Sequence, residues 1–507
     1  MGDNIDSNKR IAKNTLFLYL RMAIVLVVSL YTTRVVLHSL GVENFGIYNV
    51  VCGFVSLFGF LNSTLSSSIN RFYNYELGCE NNAKIDAVYT NSIIIQGTLA
   101  LIILLVVEVL GIWYLNTYMV LPEKKMCTAN WIFQFSIISM IFTILQTPYI
   151  AAVLAYERMN FYAVVSIVDV ILKLLIAISV YYHNSDRLWL YGFLIMLISV
   201  INFLMYLIYS LVRFKSLRIS HDVDKHLLKS MISFSAWSFL NPLAYTGRSQ
   251  GCNIVLNYFF GPVVNAAYAI TNQVSSAIDS FSMSISVAAR PQLIQTYSNG
   301  NYDRSIKLFN TSSKIMFMLV CLLVMPLFAN MEFILNLWLS NDIPSVTTSL
   351  CVLILFVKLI DSLNPSCTNI ILASGKIKTY MIVSSVITFA VVPLSIFGFL
   401  FMDDPSILFV IMILCTIVNQ LASVIIVSEI FNRVTVIKYI RTIFMPGLFI
   451  VVLDSTVMTL MFNAVSIENL ISSTFVSSFL IIALSWFILL DVQERNFIIK
   501  TIKIKKG

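Results

Sequence analysis

Asn14-Thr-Leu-Phe-Leu-Tyr-Leu-Arg21-Met-Ala-Ile-Val-Leu-Val-Val-Ser-Leu-Tyr-Thr-Thr-Arg34-Val-Val-Leu-His-Ser-Leu-Gly41-Val-Glu-Asn-Phe-Gly-Ile-Tyr48 is the stretch on which the fold turns. Its first part is apolar over the length of about 20 residues that one membrane helix needs. Two arginines interrupt it. A charge at mid-membrane costs roughly 2.5 to 3.5 kcal/mol even on lenient scales, so it is tolerated where it faces a protein-lined or watery cavity. Lys173, Arg248 and Lys358 sit inside other apolar stretches in the same way. The set points to a transporter with an anion-attracting interior.

The rest of the chain has the same character. Of 507 residues, 58% are hydrophobic and only 11% charged, against about 25% charged in a soluble domain. The first apolar run is longer than the roughly 7 to 15 residues of a signal-peptide core, so the first helix is expected to stay in the protein. About fourteen spans are expected, at 14–37, 45–70, 88–115, 129–154, 161–182, 188–212, 231–258, 265–289, 308–329, 346–372, 379–400, 406–430, 442–462 and 470–490. With the amino terminus on the cytoplasmic side, the outer connections hold only Lys124, Lys125 and Arg187 of all the loop lysines and arginines. That bias predicts both termini inside and an even number of spans. It also accounts for most of the net charge of +8 without nucleic acid as a partner. The tail from Phe497 to Lys506 reads as an interfacial segment on anionic lipid.

The opening stretch has a second copy. Ile254-Val-Leu-Asn-Tyr-Phe-Phe-Gly261-Pro-Val-Val-Asn-Ala-Ala-Tyr268 lies about 220 residues on, aligning Gly41 with Gly261 and Tyr48 with Tyr268. Six spans separate the copies, so they share one orientation and the repeat is parallel. The expected architecture is all-α: an N-terminal lobe over 1–229, a C-terminal lobe over 230–440, each of six helices, and two further helices with a basic tail over 441–507. Spans two and eight are the most polar, the first through Asn62, Ser63, Thr64, Ser66, Ser67 and Ser68 and the second through Thr271, Asn272, Gln273, Ser275, Ser276 and Asp279. Both suit helices that line a cavity.

Enzyme and metal signatures are missing from the sequence. The eight cysteines are scattered with no C-x-x-C and read as small core residues. His38, His183, His221 and His226 have no ligand spacing, and neither a P-loop nor a nucleophile-elbow motif occurs. No cofactor or metal is expected.

Lys13-Asn-Thr through Arg34, then Leu40-Gly41-Val-Glu-Asn-Phe-Gly46-Ile-Tyr48 and Arg71-Phe-Tyr-Asn-Tyr-Glu76-Leu-Gly78, resemble bacterial polysaccharide and O-antigen flippases of the Wzx type. These belong to the multidrug/oligosaccharidyl-lipid/polysaccharide (MOP) exporter superfamily. The resemblance implies two six-helix lobes that alternate between inward- and outward-open states in the inner membrane. It implies a monomer that moves a polyprenyl-pyrophosphate-linked oligosaccharide, as in lipopolysaccharide assembly, to the periplasmic leaflet. Spans thirteen and fourteen fit the branch that includes the lipid II flippase, where the extra pair flanks a groove for the lipid tail.

Physical chemistry asks the same of such a carrier: cations for the pyrophosphate, polar groups for sugars and a lateral apolar path for the tail. Arginine suits the first because its planar guanidinium bonds phosphate oxygens in pairs. Arg21, Arg34, Arg248, Lys173 and Lys358 are therefore the candidate substrate-binding cations. Arg21 and Arg34, thirteen residues apart, would sit about 20 Å apart along one helix. Arg248 follows Pro242, where a kink is expected. Each has a plainer reading. Lys173 with Asp169, and Lys358 with Asp361, are at ion-pair spacing on their own helices, and Arg34 is near enough to the outer end to snorkel. Arg71, Glu76 and Arg290 are candidate inner-gate residues, against simple positive-inside anchoring. Asp279 and Asp361 are candidates for a coupling proton or sodium ion, against structural hydrogen bonding. Two other functions compete: a cation-coupled drug exporter, which favours acidic cavities, and a membrane glycan polymerase, which commonly carries a larger outer loop than this chain has.

Overall fold

The computed structural model describes residues 2–78, 82–156, 158–183, 186–214, 224–339, 343–375, 377–431, 434–461, 466–492 and 494–495. Within these, side chains are undescribed for 2–20, 63, 67, 71, 74, 75, 77, 78, 82–84, 233–238, 283–285, 287–292, 294, 295 and 298. Arg71, Arg290, Ser63 and Ser67 thus have a place in a helix but no described contacts. His221, Cys79 and the tail from Phe497 to Lys506 lie outside the described residues altogether.

All regular structure among the described residues is helical. The first unit contains α1 (Gly2–Leu40), α2 (Val42–Ser56), α3 (Gly59–Gly78), α4 (Asn82–Thr117), α5 (Met126–Leu145), α6 (Thr147–Ala155), α7 (Met159–Tyr181), α8 (Arg187–Arg213) and α9 (Lys225–Ser238). It ends inside α10 (Leu240–Ser298). The second unit continues with α11 (Tyr302–Ala329), α12 (Met331–Leu339), α13 (Thr347–Asp361), α14 (Asn364–Ser374), α15 (Ile377–Phe399), α16 (Ser406–Ile430), α17 (Val436–Tyr439), α18 (Met445–Met461) and α19 (Ile467–Leu484). The two compact units are Met1–Ala269 and Ile270–Gly507.

Among the described residues, twelve helical segments are long and apolar enough to cross a membrane, and α2 with the first part of α3, bent by 47°, makes a thirteenth. The segment Leu240–Ser282 is one of the twelve, yet Gly261 breaks it. By length and apolarity the described residues thus hold twelve or thirteen spans, against the roughly fourteen expected.

Glycine explains where two of the breaks fall. Gly41 between α1 and α2 has φ 80° and ψ 163°, and Gly261 inside α10 has φ 75° and ψ −174°. This region of backbone space is essentially closed to residues with a Cβ. The two aligned glycines of the repeat therefore share one rare conformation. At α9 the break has another cause: Pro242 lacks the N–H that would bond the carbonyl of Ser238, and α9 ends at Ser238.

Close backbone packing and asparagine side chains then fix the first unit around these turns. A Cβ on Gly46 would lie 1.8 Å from the carbonyl oxygen of Pro262, and one on Gly53 would lie 2.5 Å from Nδ2 of Asn253. Small residues allow helices to approach in this way where lipid supplies no hydrophobic drive. Asn253 donates to the Asn49 carbonyl at 3.1 Å. Asn257 accepts from the amide of Val120 at 3.0 Å and donates to its carbonyl at 3.2 Å. Asn265, just past the Gly261 turn, donates to both the carbonyl and the side-chain oxygen of Asn253. Arg187 donates to the Ser39 carbonyl at 3.2 Å, one of the carbonyls that the end of α1 leaves without an intrahelical donor. It is an outer-loop residue by sequence, but it braces that turn.

In the second unit, a buried cation holds the end of the chain. Lys314 of α11 is 2% exposed. Its Nζ donates to Glu494 at 2.9 Å and to Asp491 at 3.1 Å, and Thr311 donates to the other oxygen of Glu494. Removing one partner of a buried pair costs on the order of 3 kcal/mol, because the remaining charge loses its compensation. Lys314→Met should therefore lower the thermal unfolding temperature by several degrees, and Lys314→Met with Glu494→Gln should recover much of the loss. Equal stability of wild type and Lys314→Met would contradict this role.

Candidate functional site

The cationic candidates fall into two chemical situations. In the first unit, α7 carries Tyr162, Ser166, Asp169 and Lys173 at helical spacing, so they form one stripe. Asp169 accepts from Lys173 at 2.8 Å with one oxygen and from Asn202 of α8 at 2.7 Å with the other. Lys173 is thus neutralised within its own helix, the plainer of its two readings. Arg21 of α1 is different. Its guanidinium carbon lies 4.5 Å from the centroid of the Tyr162 ring, and Tyr206 of α8 is within its electrostatic reach. Its Nε is buried with no hydrogen-bond partner, and no carboxylate among the described residues forms a salt bridge with it.

Stacking on an aromatic ring uses the face of a guanidinium and leaves its edge, where all five N–H donors lie. Beside Asp169 and Lys173, Arg21 leaves this seam of α1, α7 and α8 with one net positive charge. Arg248 is also part-buried, 5.4 Å from the ring of Tyr245 one turn back on α10, and without a salt bridge among the described residues. Arg34 is part-buried on α1, two turns before Gly41.

In the second unit, Lys358 of α13 is 5% exposed and engages both oxygens of Asp279, at 2.7 and 2.9 Å. Asp361, three residues on, is a weaker partner at 3.9 Å. A candidate substrate cation and both candidate coupling acids are therefore one cluster. If the Asp279–Lys358 pair is chiefly structural, Lys358→Met should reduce the folded yield severalfold and the added Asp279→Asn should restore it. Size-exclusion profiles of the two variants check this; equal losses in both would contradict it.

Glu76 is buried near the end of α3, while the side chains of Arg71 and Arg290 are not described. Sequence reasoning missed two buried ionisable residues, Lys314 and Asp454, and the half-buried Glu108, which accepts from Gln134 at 2.8 Å. An ionisable residue inside an apolar span is itself the signal that could have found them. A cavity of about 280 Å³ in the first unit, lined by Tyr48, Cys52, Ser136, Ser139, Thr143 and neighbours, contains none of the cationic candidates. Among the described residues, no cluster could hold a metal ion.

The fold matches solved transporters closely in shape and weakly in sequence. An inward-facing multidrug resistance MATE family transporter of the MOP superfamily superposes with a TM-score of 0.68 at 15% identity, covering 82% of this chain and 99% of that one. The lipid II flippase MurJ, in an inward closed conformation, superposes with a TM-score of 0.69 at 13% identity, covering 93% of this chain and 98% of that one. Residues 238–397 match the MatE family model. Fold and matches together define a multi-pass membrane transporter of the MOP superfamily.

Within that class, the chain belongs to the polysaccharide biosynthesis protein family, whose model matches residues 9–297. The uncharacterized membrane protein EpsK of Bacillus subtilis (strain 168) is 20% identical over 300 residues, 58% of each chain. The proteins with these folds are transporters and flippases, not enzymes.

Proposed function

We propose that this protein is a flippase that carries a polyprenyl-pyrophosphate-linked oligosaccharide from the cytoplasmic to the periplasmic leaflet of the inner membrane, with both termini cytoplasmic and no chemical step. Arg21 carries the proposal: a part-buried guanidinium stacked on Tyr162, with its Nε unpartnered and no salt bridge among the described residues. Arg248 and Arg34 extend the cationic path, and Lys173 and Lys358 act through their carboxylate partners. Family membership supports a polysaccharide precursor as cargo. The larger share of this chain matched by the lipid II flippase than by the MATE transporter favours a lipid-linked one.

Alternating access around the headgroup, a monomeric carrier and a coupling proton or sodium ion belong to the same proposal. Gate roles for Arg71, Glu76 and Arg290 do too. The carboxylates Asp279 and Asp361 gathered at Lys358 and the MatE match favour a second reading, a cation-coupled drug exporter.

Mass spectrometry of polyprenyl lipids from cells lacking the protein separates the two. Accumulation of a complete pyrophosphate-linked repeat unit, relieved when the gene is restored, is the outcome expected. An unchanged lipid pool with altered drug sensitivity would give the exporter the stronger case.

A further inference from the structure

One acid in the α18–α19 region has no cation to answer it. Asp454 of α18 is 0% exposed. Its Oδ2 accepts from Ser477 of α19 at 2.9 Å, while its Oδ1 is buried with no hydrogen-bond partner.

Among the described residues, the elements packed against α18 supply no compensating charge. From α11 comes the thiol of Cys321, within electrostatic reach of the carboxyl. The other titratable group on that face, Lys314, is seven residues away and held by Asp491 and Glu494. From α19 come the hydroxyls of Ser477 and Ser473, the second accepting from Asn330 at 2.9 Å. In the helical turn before α18, Arg441 is exposed and thirteen residues back, roughly 20 Å along the helix. Among the described residues Asp454 makes no salt bridge. An isolated carboxylate is among the most expensive groups to remove from water, and the usual resolution is that it takes up a proton.

We propose that Asp454 is a proton-binding site in the seam of α11, α18 and α19. It is a neutral acid whose Oδ2 is fixed by Ser477 and whose Oδ1 holds the proton. The proton is released when that seam opens to water. The site is distinct from Asp279 and Asp361, which Lys358 already engages, and it depends on no assumption about the cargo.

Infrared difference spectroscopy of the full-length protein in lipid nanodiscs tests it. At about pH 7 an ordinary aspartate is ionised by about a thousand to one. A carbonyl stretch from a protonated carboxyl is nevertheless expected in the wild type at that pH. It should be lost in Asp454→Asn and retained in Glu108→Gln, which removes the other acid that has a buried, unpartnered oxygen among the described residues. Asp454→Glu, which keeps the acid, should shift the band and provides the assignment if Asp454→Asn fails to fold. Absence of the band in the wild type, its survival in Asp454→Asn, or an unshifted band in Asp454→Glu would each overturn the proposal.

Discussion

Arg21→Gln should lose transport of the pyrophosphate-linked substrate while inserting and folding normally. The guanidinium contributes no salt bridge to the described fold, so its removal leaves no carboxylate stranded. What it does contribute is donors: hydrogen bonds involving a charged group are worth about 1.5 to 3 kcal/mol each. At 1.4 kcal/mol per tenfold, loss of a paired contact to pyrophosphate lowers affinity by about two to four orders of magnitude.

Arg21→Lys should fall between, because it keeps the charge and loses the planar fork. Lys124→Ala is the matched control, since Lys124 is exposed in the connection between α4 and α5. Arg187→Ala is not, because Arg187 supports the end of α1 through Ser39. Transport in cells lacking the chromosomal copy, with folded protein quantified in parallel, reads the result. Wild-type transport by Arg21→Gln would remove the anion-binding role.

Gly46→Ala should disrupt the packing of the first unit. The added methyl would be placed 1.8 Å from the carbonyl oxygen of Pro262, and the next nearest atoms are also Pro262 backbone. No rotamer relieves a clash between Cβ and backbone. Helix α2 and the Gly261–Pro262 turn would have to separate, pulling on the Asn253–Asn49 bond. Overpacking typically costs about 1 to 3 kcal/mol, and a backbone collision belongs at or above the top of that range. Gly59→Ala is the control, since nothing lies within 4 Å of its Cβ position. Melting curves of the purified variants should show a large fall for Gly46→Ala and little change for Gly59→Ala.

The features legible in the sequence were those written locally. Apolar length gave the spans, and the Gly41–Gly261 alignment marked two positions that share a backbone conformation reserved for glycine. The Asp169–Lys173 pair was readable because four residues along a helix place side chains together. Contacts between distant helices were not. Asp279 and Lys358 are 79 residues apart in sequence, and Lys314 meets Glu494 across 180 residues, with no local pattern to announce either. The stacking of Arg21 on Tyr162 likewise required the register of α1 against α7. Asp454 has no charged residue at helical spacing on its own helix to mark it, yet the same physical rule about intramembrane charge applies to it.

Reconstitution into liposomes tests the central claim most directly. The purified protein would be incorporated with a short-chain polyprenyl pyrophosphate bearing a fluorescent sugar, and its appearance in the opposite leaflet followed by an impermeant quencher. The account predicts protein-dependent exchange of the probe between leaflets, reduced about a hundredfold or more by Arg21→Gln in line with the loss of a charged hydrogen-bond pair. Equal rates in protein-free liposomes, in the wild type and in Arg21→Gln would contradict it.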